Sequence, residues 1–333
     1  MSENSKIEWT DHTFSPWMGC TKISPGCDNC YAEAMMDTRL HKVQWGPRGQ
    51  RVRTSAANWL EPVRWNAKHE QFFAAHGRRQ RVFCSSLADV FDNAVDPAWR
   101  VDLFQLIADT PNLDWLLLTK RIGNVRSMIE SAAFSTVGTG ALNMWLTQWA
   151  MTRTPPSNVW LGATIVNQEE ADRDIPKLLN TPARVRFLSI EPMLGPIDLL
   201  WPETLWPDGP TRCCSGHECG CGGQPIDPWL IYGVNWIIAG GESGPGARPA
   251  HPDWFRSLRD QCAEAHVAFF FKQWGQWAPG SNFPEDVPIP SGERAYFDGQ
   301  DMDDNESVWN VGKRAAGRLL DGRTHDEFPE NTR

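Results

Sequence analysis

Six apolar runs of similar length recur along the chain: Arg81–Ser86, Asp114–Thr119, Asn158–Ala163, Val185–Ile190, Asn235–Gly240 and Val267–Lys272. Near-continuous apolar stretches this short suit strands of a parallel sheet, buried on both faces. The segments between them change to helical spacing. Asp96 caps a segment with Pro97 at its first position, and Trp99, Leu103, Leu106 and Ile107 line one face. Asn167, with Glu169 and Glu170, starts another, which Pro176 should kink or divide. Pro252 opens a third, with Phe255, Leu258 and Cys262 on one side. Strand–helix alternation means a parallel sheet. Thr13–Met18 supplies a first strand and brings the count to seven, enough for a partial or closed (β/α) TIM-type barrel. An open doubly wound sheet is the alternative.

On this reading residues 1–277 form the barrel, with a Cys-rich, Pro/Gly-rich insertion at 201–231. Residues 278–333 form a lid or packing extension, with a short helix over Val311–Leu320. Barrel chemistry gathers at the C-terminal ends of the strands. Those ends are polar here: Ser85, Ser86 and Asp89; Thr119, Lys120 and Arg121; Thr164 and Asn167; Glu191; Gly240, Gly241, Glu242 and Ser243; Lys272, Gln273 and Trp274.

Composition narrows the class. In 333 residues, 41% hydrophobic, no apolar run is long enough to cross a membrane. The N-terminus lacks the features of a secretory signal, so a cytoplasmic protein is expected, in a bacterial or phage-infected host cell. Cysteines in such a compartment serve metals or catalysis more than disulfides, and the nine here are clustered. The net charge of −9 argues against a surface that coats nucleic acid everywhere. The segment 39–81, however, carries ten Lys/Arg against Glu61 and Glu70, with Trp45, Trp59 and Trp65 interleaved. It could bind phosphate and stack a base of DNA, RNA or a nucleotide. The competing reading is a solvated surface whose tryptophans anchor the core.

The strongest chemical signal is Cys20, Cys27 and Cys30, spaced C-x6-C-x2-C and followed by Tyr31. Three such thiolates can hold three irons of a [4Fe–4S] cluster and leave the fourth open to a small molecule, as S-adenosylmethionine radical chemistry requires. Gly19, Pro25 and Gly26 suit a loop that wraps a bulky ligand and turns its amides toward sulfur. Structural zinc is the alternative, and would need a fourth ligand such as His12 or His41. A second group, Cys213, Cys214, His217, Cys219 and Cys221, has the density of a zinc site, with an auxiliary iron–sulfur cluster as its alternative. Cys84 and Cys262 read as buried apolar fillers. No phosphate-binding P-loop, dinucleotide fingerprint or nucleophile elbow is present.

Several stretches together resemble a phage- and prophage-associated three-cysteine-motif family, itself similar to divergent radical S-adenosylmethionine enzymes. They are Trp17-Met-Gly-Cys20 through Cys30-Tyr-Ala32, Ser85-Ser-Leu-Ala-Asp89, Leu118-Thr-Lys120-Arg121, Leu161-Gly-Ala-Thr164, Leu188-Ser-Ile-Glu191-Pro192, Gly240-Gly-Glu242-Ser243-Gly244, Phe271-Lys272-Gln273-Trp274-Gly275 and Ala316-Gly-Arg-Leu-Leu-Asp321-Gly322. The likeness covers most of the chain but not the Cys-rich insertion. It implies a cluster on Cys20, Cys27 and Cys30 whose free iron chelates S-adenosylmethionine. Reductive cleavage, fed by a reductant protein, would yield a 5′-deoxyadenosyl radical that modifies, isomerises or repairs a nucleic-acid base or nucleotide. A non-catalytic, metal-stabilised nucleic-acid-binding protein is the competing class.

The strand-end residues Ser85, Ser86, Lys120, Glu191, Gly240, Gly241, Glu242 and Lys272 are the candidate cofactor-binding set. Gly240-Gly241-Glu242 resembles the element that holds the methionyl amine in many radical enzymes, although it follows a late strand. Glu191 could hold ribose hydroxyls or an amine, and Lys120, Arg121 and Lys272 a carboxylate or phosphate. Against these stand plainer roles: a helix cap for Ser85, Ser86 and Asp89, and surface ion pairs for the cations.

Overall fold

The computed structural model describes residues 3–138, 140–152, 154–199, 231–283, 288–289, 292–297 and 307–330. Seven strands form one parallel sheet: β1 His12–Phe14, β2 Gln80–Cys84, β3 Leu113–Thr119, β4 Val159–Thr164, β5 Val185–Ile190, β6 Trp236–Gly240 and β7 Ala268–Gln273. Their spatial order is their chain order, which excludes the doubly wound alternative, because that topology reverses direction at a switch point. The sheet curls into a half-barrel, with β1 and β7 as its two edges.

Helices α1 Pro97–Asp109, α2 Ile122–Ser135, α3 Ala141–Met151, α4 Gln168–Leu179 and α5 Pro252–Glu264 supply crossovers. Three start at a side-chain cap: Asp96 accepts from Ala98 N, Asn167 from Glu170 N, and His251 from Asp253 N. Pro176 neither kinks α4 apart nor ends it. It lies in the last turn, where its missing N–H costs one hydrogen bond, while Ala171, Ile175 and Leu178 bury the face on either side.

Period-two alternation divides the strands between two cores. Val82, Cys84, Trp115, Leu117, Leu161, Leu188, Ile237 and Phe271 pack outward beneath the helices. Phe83, Leu116, Trp160, Phe187, Trp236, Ile238 and Phe270 face the concave side, where Trp9 completes a second core and Ile7 and Phe328 pack against it. The hollow is therefore plugged at the N-terminal end of the strands, and space remains only toward their C-terminal ends. The β7 edge is covered by the chain terminus: Phe271 N donates to His325 O at 2.9 Å and Glu327 N to Phe269 O at 3.2 Å. That pairing satisfies backbone groups an open edge would expose.

Two expectations are corrected. Thr13–Met18 is not one strand: His12–Phe14 pairs with β2, whereas Trp17–Met18 turns away to pair antiparallel with Val52–Arg53. Pro16 cannot donate to the ladder and sits at the break. The helix over Val311–Leu320 shrinks to Lys313–Ala316, ended by Gly317 at φ +68°. The Cys213–Cys221 group lies outside the described residues.

Candidate functional site

The open end of the half-barrel is a cavity of about 550 Å³. Cys20, Cys27 and Cys30 all line it, together with Ser85, Ser86, Lys120, Glu191, Gly241, Glu242 and Lys272. Of the candidate cofactor-binding residues, Gly240 alone does not line the wall. Asn167 and Trp274 also fall away from it: Asn167 serves as the α4 cap, and the Trp274 indole donates to Leu319 O at 2.7 Å. Ile7, Trp9, Phe83 and Leu118 give the cavity an apolar floor.

The cysteine loop is fastened at both ends of its length. Near Cys20, Arg121 donates to the Sγ at 3.3 Å and to Thr21 O at 2.8 Å. Asp89 holds Arg121 in place at 3.2 Å while accepting from Thr119 Oγ1, Lys120 N and Phe91 N. Behind it, the buried pair Arg51–Asp92 (2.7 Å) reaches Thr21 Oγ1 at 2.8 Å. Burial, reinforced by the Asp89 carboxylate and offset only in part by Arg121, pushes the Cys20 thiol up to about 11.

Around Cys27 and Cys30 the fastening is Arg248. Its side chain grips both oxygens of Glu242 (2.9 and 2.7 Å), then Asp28 Oδ2 (3.0 Å) and Pro25 O (2.9 Å). Asn29 donates to the same Glu242 carboxylate at 3.0 Å. Burial alone would raise the Glu242 carboxyl, but the bonds from Arg248 and Asn29 outweigh it and hold it below the ordinary carboxylate value. Glu242 therefore anchors the cysteine loop to the end of β6. Gly26 packs tightly against the barrel: a Cβ there would stand 2.6 Å from Val166 Cγ1. Gly241 has an equally plain reason, since its Cβ would meet Trp274 O at 2.0 Å.

Opposite, Glu191 is held by Lys272 Nζ at 2.7 and 2.9 Å and by Gln273 Nε2 at 3.2 Å. Apart from Lys313, which reaches the cavity from the C-terminal segment, two polar groups of the strand ends stand out as uncommitted. The Ser85 Oγ is buried without a hydrogen-bond partner, and the Lys120 ammonium has no carboxylate in ion-pair reach among the described residues. Both line the cavity at the ends of adjacent strands, Ser85 one residue past Cys84 of β2 and Lys120 one past Thr119 of β3.

The triad is a set of free thiols on one wall, and neither His12 nor His41 lines the cavity. His12 stacks on Trp65 at the opposite end of the barrel, so it does not supply the fourth zinc ligand considered above. Among the described residues no group of three or more His, Cys, Asp or Glu stands close enough to hold an ion, so the loop must tighten for the sulfurs to share one. Three soft donors with no fourth protein ligand among the described residues match the donor set of a cluster with one open iron better than that of closed tetrahedral zinc.

The basic segment 39–81 does not act as one patch. Arg51, Arg53, Arg64, Lys68, Arg78 and Arg79 are paired with Asp92, Asp102, Glu61, Glu3, Asp11 and Asp114. Arg81 is buried beneath the Phe328 ring at 3.8 Å. Trp65 is core and Trp59 lies under Arg53, leaving Trp45 in the cavity wall. Sequence reasoning named Trp45 as one of three stacking candidates but missed Arg248 and Asn29. A signal existed for Arg248, six residues after Glu242 in the same glycine-rich loop, but none for the Arg51–Asp92 pair.

Residues 4–329 match the family described as "Protein of unknown function (DUF5131)", and the chain belongs to it. No curated protein and no solved structure matches. Among the described residues no helix is long and apolar enough to cross a membrane.

Proposed function

We propose that this member of a family of unknown function is an iron–sulfur enzyme of the radical S-adenosylmethionine type, with Cys20, Cys27 and Cys30 as the cluster ligands. One observation carries the reading. The three thiols share a cavity with an unpartnered buried hydroxyl, Ser85, and an unpaired cation, Lys120, on adjacent strands. A cluster bound there would supply the electron for reductive cleavage of the sulfonium, and a reductant protein would have to replenish it.

The protein's own groups would do the rest. Lys120 would take the cofactor carboxylate and Ser85 a hydrogen bond beside it. The Glu191–Lys272 pair would meet hydroxyls or an amine across the cavity. Arg121 would donate to the Cys20 sulfur, a contact that tunes such centres. The apolar floor keeps water from the reacting end.

Anaerobic reconstitution with iron and sulfide, followed by reductant and S-adenosylmethionine, tests this directly. The expected product is 5′-deoxyadenosine, absent in Cys27→Ala. Stoichiometric zinc on the triad, with no cofactor cleavage, would overturn the reading in favour of a non-catalytic metal-stabilised protein.

A further inference from the structure

We infer that the cavity mouth docks single-stranded nucleic acid, with one base stacked on Trp45 at the cavity wall and its neighbours' phosphates held on the cations beside it. The inference rests on the proposed enzyme only for what happens to that nucleotide.

Charge is the first reason. The protein carries −9, yet exposed cations flank the cavity-lining Trp45 in the chain. Arg39, Lys42 and Arg48 are exposed on the segment packed against the cysteine loop, where Gly46 N donates to Cys20 O at 2.9 Å. None of the three has an acidic partner among the described residues. Lys313 reaches the same cavity from the C-terminal segment, with exposed Arg314 beside it. The acids of the wall are already matched: Glu191 by Lys272, Glu242 by Arg248, Asp89 by Arg121; Glu33 nearby is matched by Lys22. Even with Asp37, whose carboxylate accepts from Trp45 N at 2.7 Å, Arg39, Lys42 and Arg48 leave positive charge in excess beside Trp45, whereas six other cations of the basic segment are paired.

Reach is the second reason. A cavity of about 550 Å³ is of small-ligand size, so it excludes a duplex and, with the cofactor inside, leaves an unpaired base at its mouth. Arg39, Lys42 and Arg48 do not line it, so a free nucleotide inside could not use them. Phosphates on either side of a base stacked at the mouth could. Trp45 lies between Lys42 and Arg48 and lines the cavity, half-buried, where an indole face can stack a base.

Fluorescence anisotropy with labelled 12-nucleotide DNA and RNA single strands tests the surface, on the full chain with and without reconstituted cluster. Binding should weaken with salt at about 0.7 log units per log unit for each phosphate held. The variant Arg39→Glu/Lys42→Glu/Arg48→Glu should flatten that slope by about 2. Trp45→Ala should weaken binding about tenfold without changing the slope. Arg79→Glu, at the far end of the barrel, should change neither. Absent or salt-independent binding, indifference to the triple reversal, preference for duplex, or a nucleoside monophosphate binding as tightly as the 12-mer would each overturn the inference. Lost binding with intact 5′-deoxyadenosine formation rejects the surface alone, and binding without cofactor cleavage rejects the enzyme alone.

Discussion

Arg248→Ala isolates the fastening of the cysteine loop. The substitution removes four side-chain hydrogen bonds, two to Glu242 and one each to Asp28 and Pro25. The Asp28 limb is largely exposed, with that side chain 59% accessible, and contributes about 0–1 kcal/mol. The Glu242 limb matters more, because that side chain is only 6% accessible and loses its counter-charge. Breaking a fully buried pair costs about 3–5 kcal/mol. Here Arg248 is one-third exposed, and Asn29 and the residue-248 amide still serve Glu242, so about 2 kcal/mol is the fitting figure.

Because the clamp ties one loop to one strand end, the loss should appear as local opening more than as lower global stability. Amides 26–30 in the cluster-free protein should exchange about 30-fold faster, while those of β3 and β4 keep their rates. Hydrogen–deuterium exchange with peptide resolution measures both. Exchange within threefold of wild type across 26–30 would refute the clamp. Uniform acceleration through the sheet would show instead that Arg248 supports the whole fold.

Three other outcomes are expected. In the cluster-free protein, alkylation of Cys20 should rise with a midpoint near pH 11, read by peptide mass spectrometry, and a midpoint near 9 would contradict the burial beside Asp89. Asp114, raised to about 6 chiefly by burial, keeps its proton longer when folded than unfolded. Its contribution is therefore fully present below pH 3.8 and lost as pH rises through about 6, and urea titrations of Asp114→Asn should show a flatter stability profile over that window. Gly26→Ala should displace the loop from Val166, at about 1–3 kcal/mol, and lower iron retained after reconstitution. Adding Val166→Ala should restore the iron, and failure of that rescue would deny the contact.

The barrel strands were legible because each is short, apolar on both faces and bounded by polar sequence, a pattern little else satisfies. The caps at Asp96 and Asn167 were legible too, since capping is chemistry within three residues. Breaks governed by distant partners were not: Trp17–Met18 leaves the sheet for Val52–Arg53, and Val311–Leu320 barely forms a helix. The triad and the polar strand ends could be named from sequence because strand period and parallel direction send them to one end.

Which of them stay uncommitted could not be named. Glu242 and Lys120 look alike in sequence as charged strand-end residues, yet Glu242 is saturated by Arg248 and Asn29, while Lys120 has no carboxylate in reach among the described residues. Segment 39–81 shows the same division. Its excess charge is a property of composition, but its free charge depends on Asp11, Asp92, Asp102 and Asp114 arriving from other elements. Local pattern fixed the elements and their direction, because those follow from periodicity and burial. Tertiary structure alone decided which charges neutralise one another, because pairing depends on distances between residues as many as 220 positions apart.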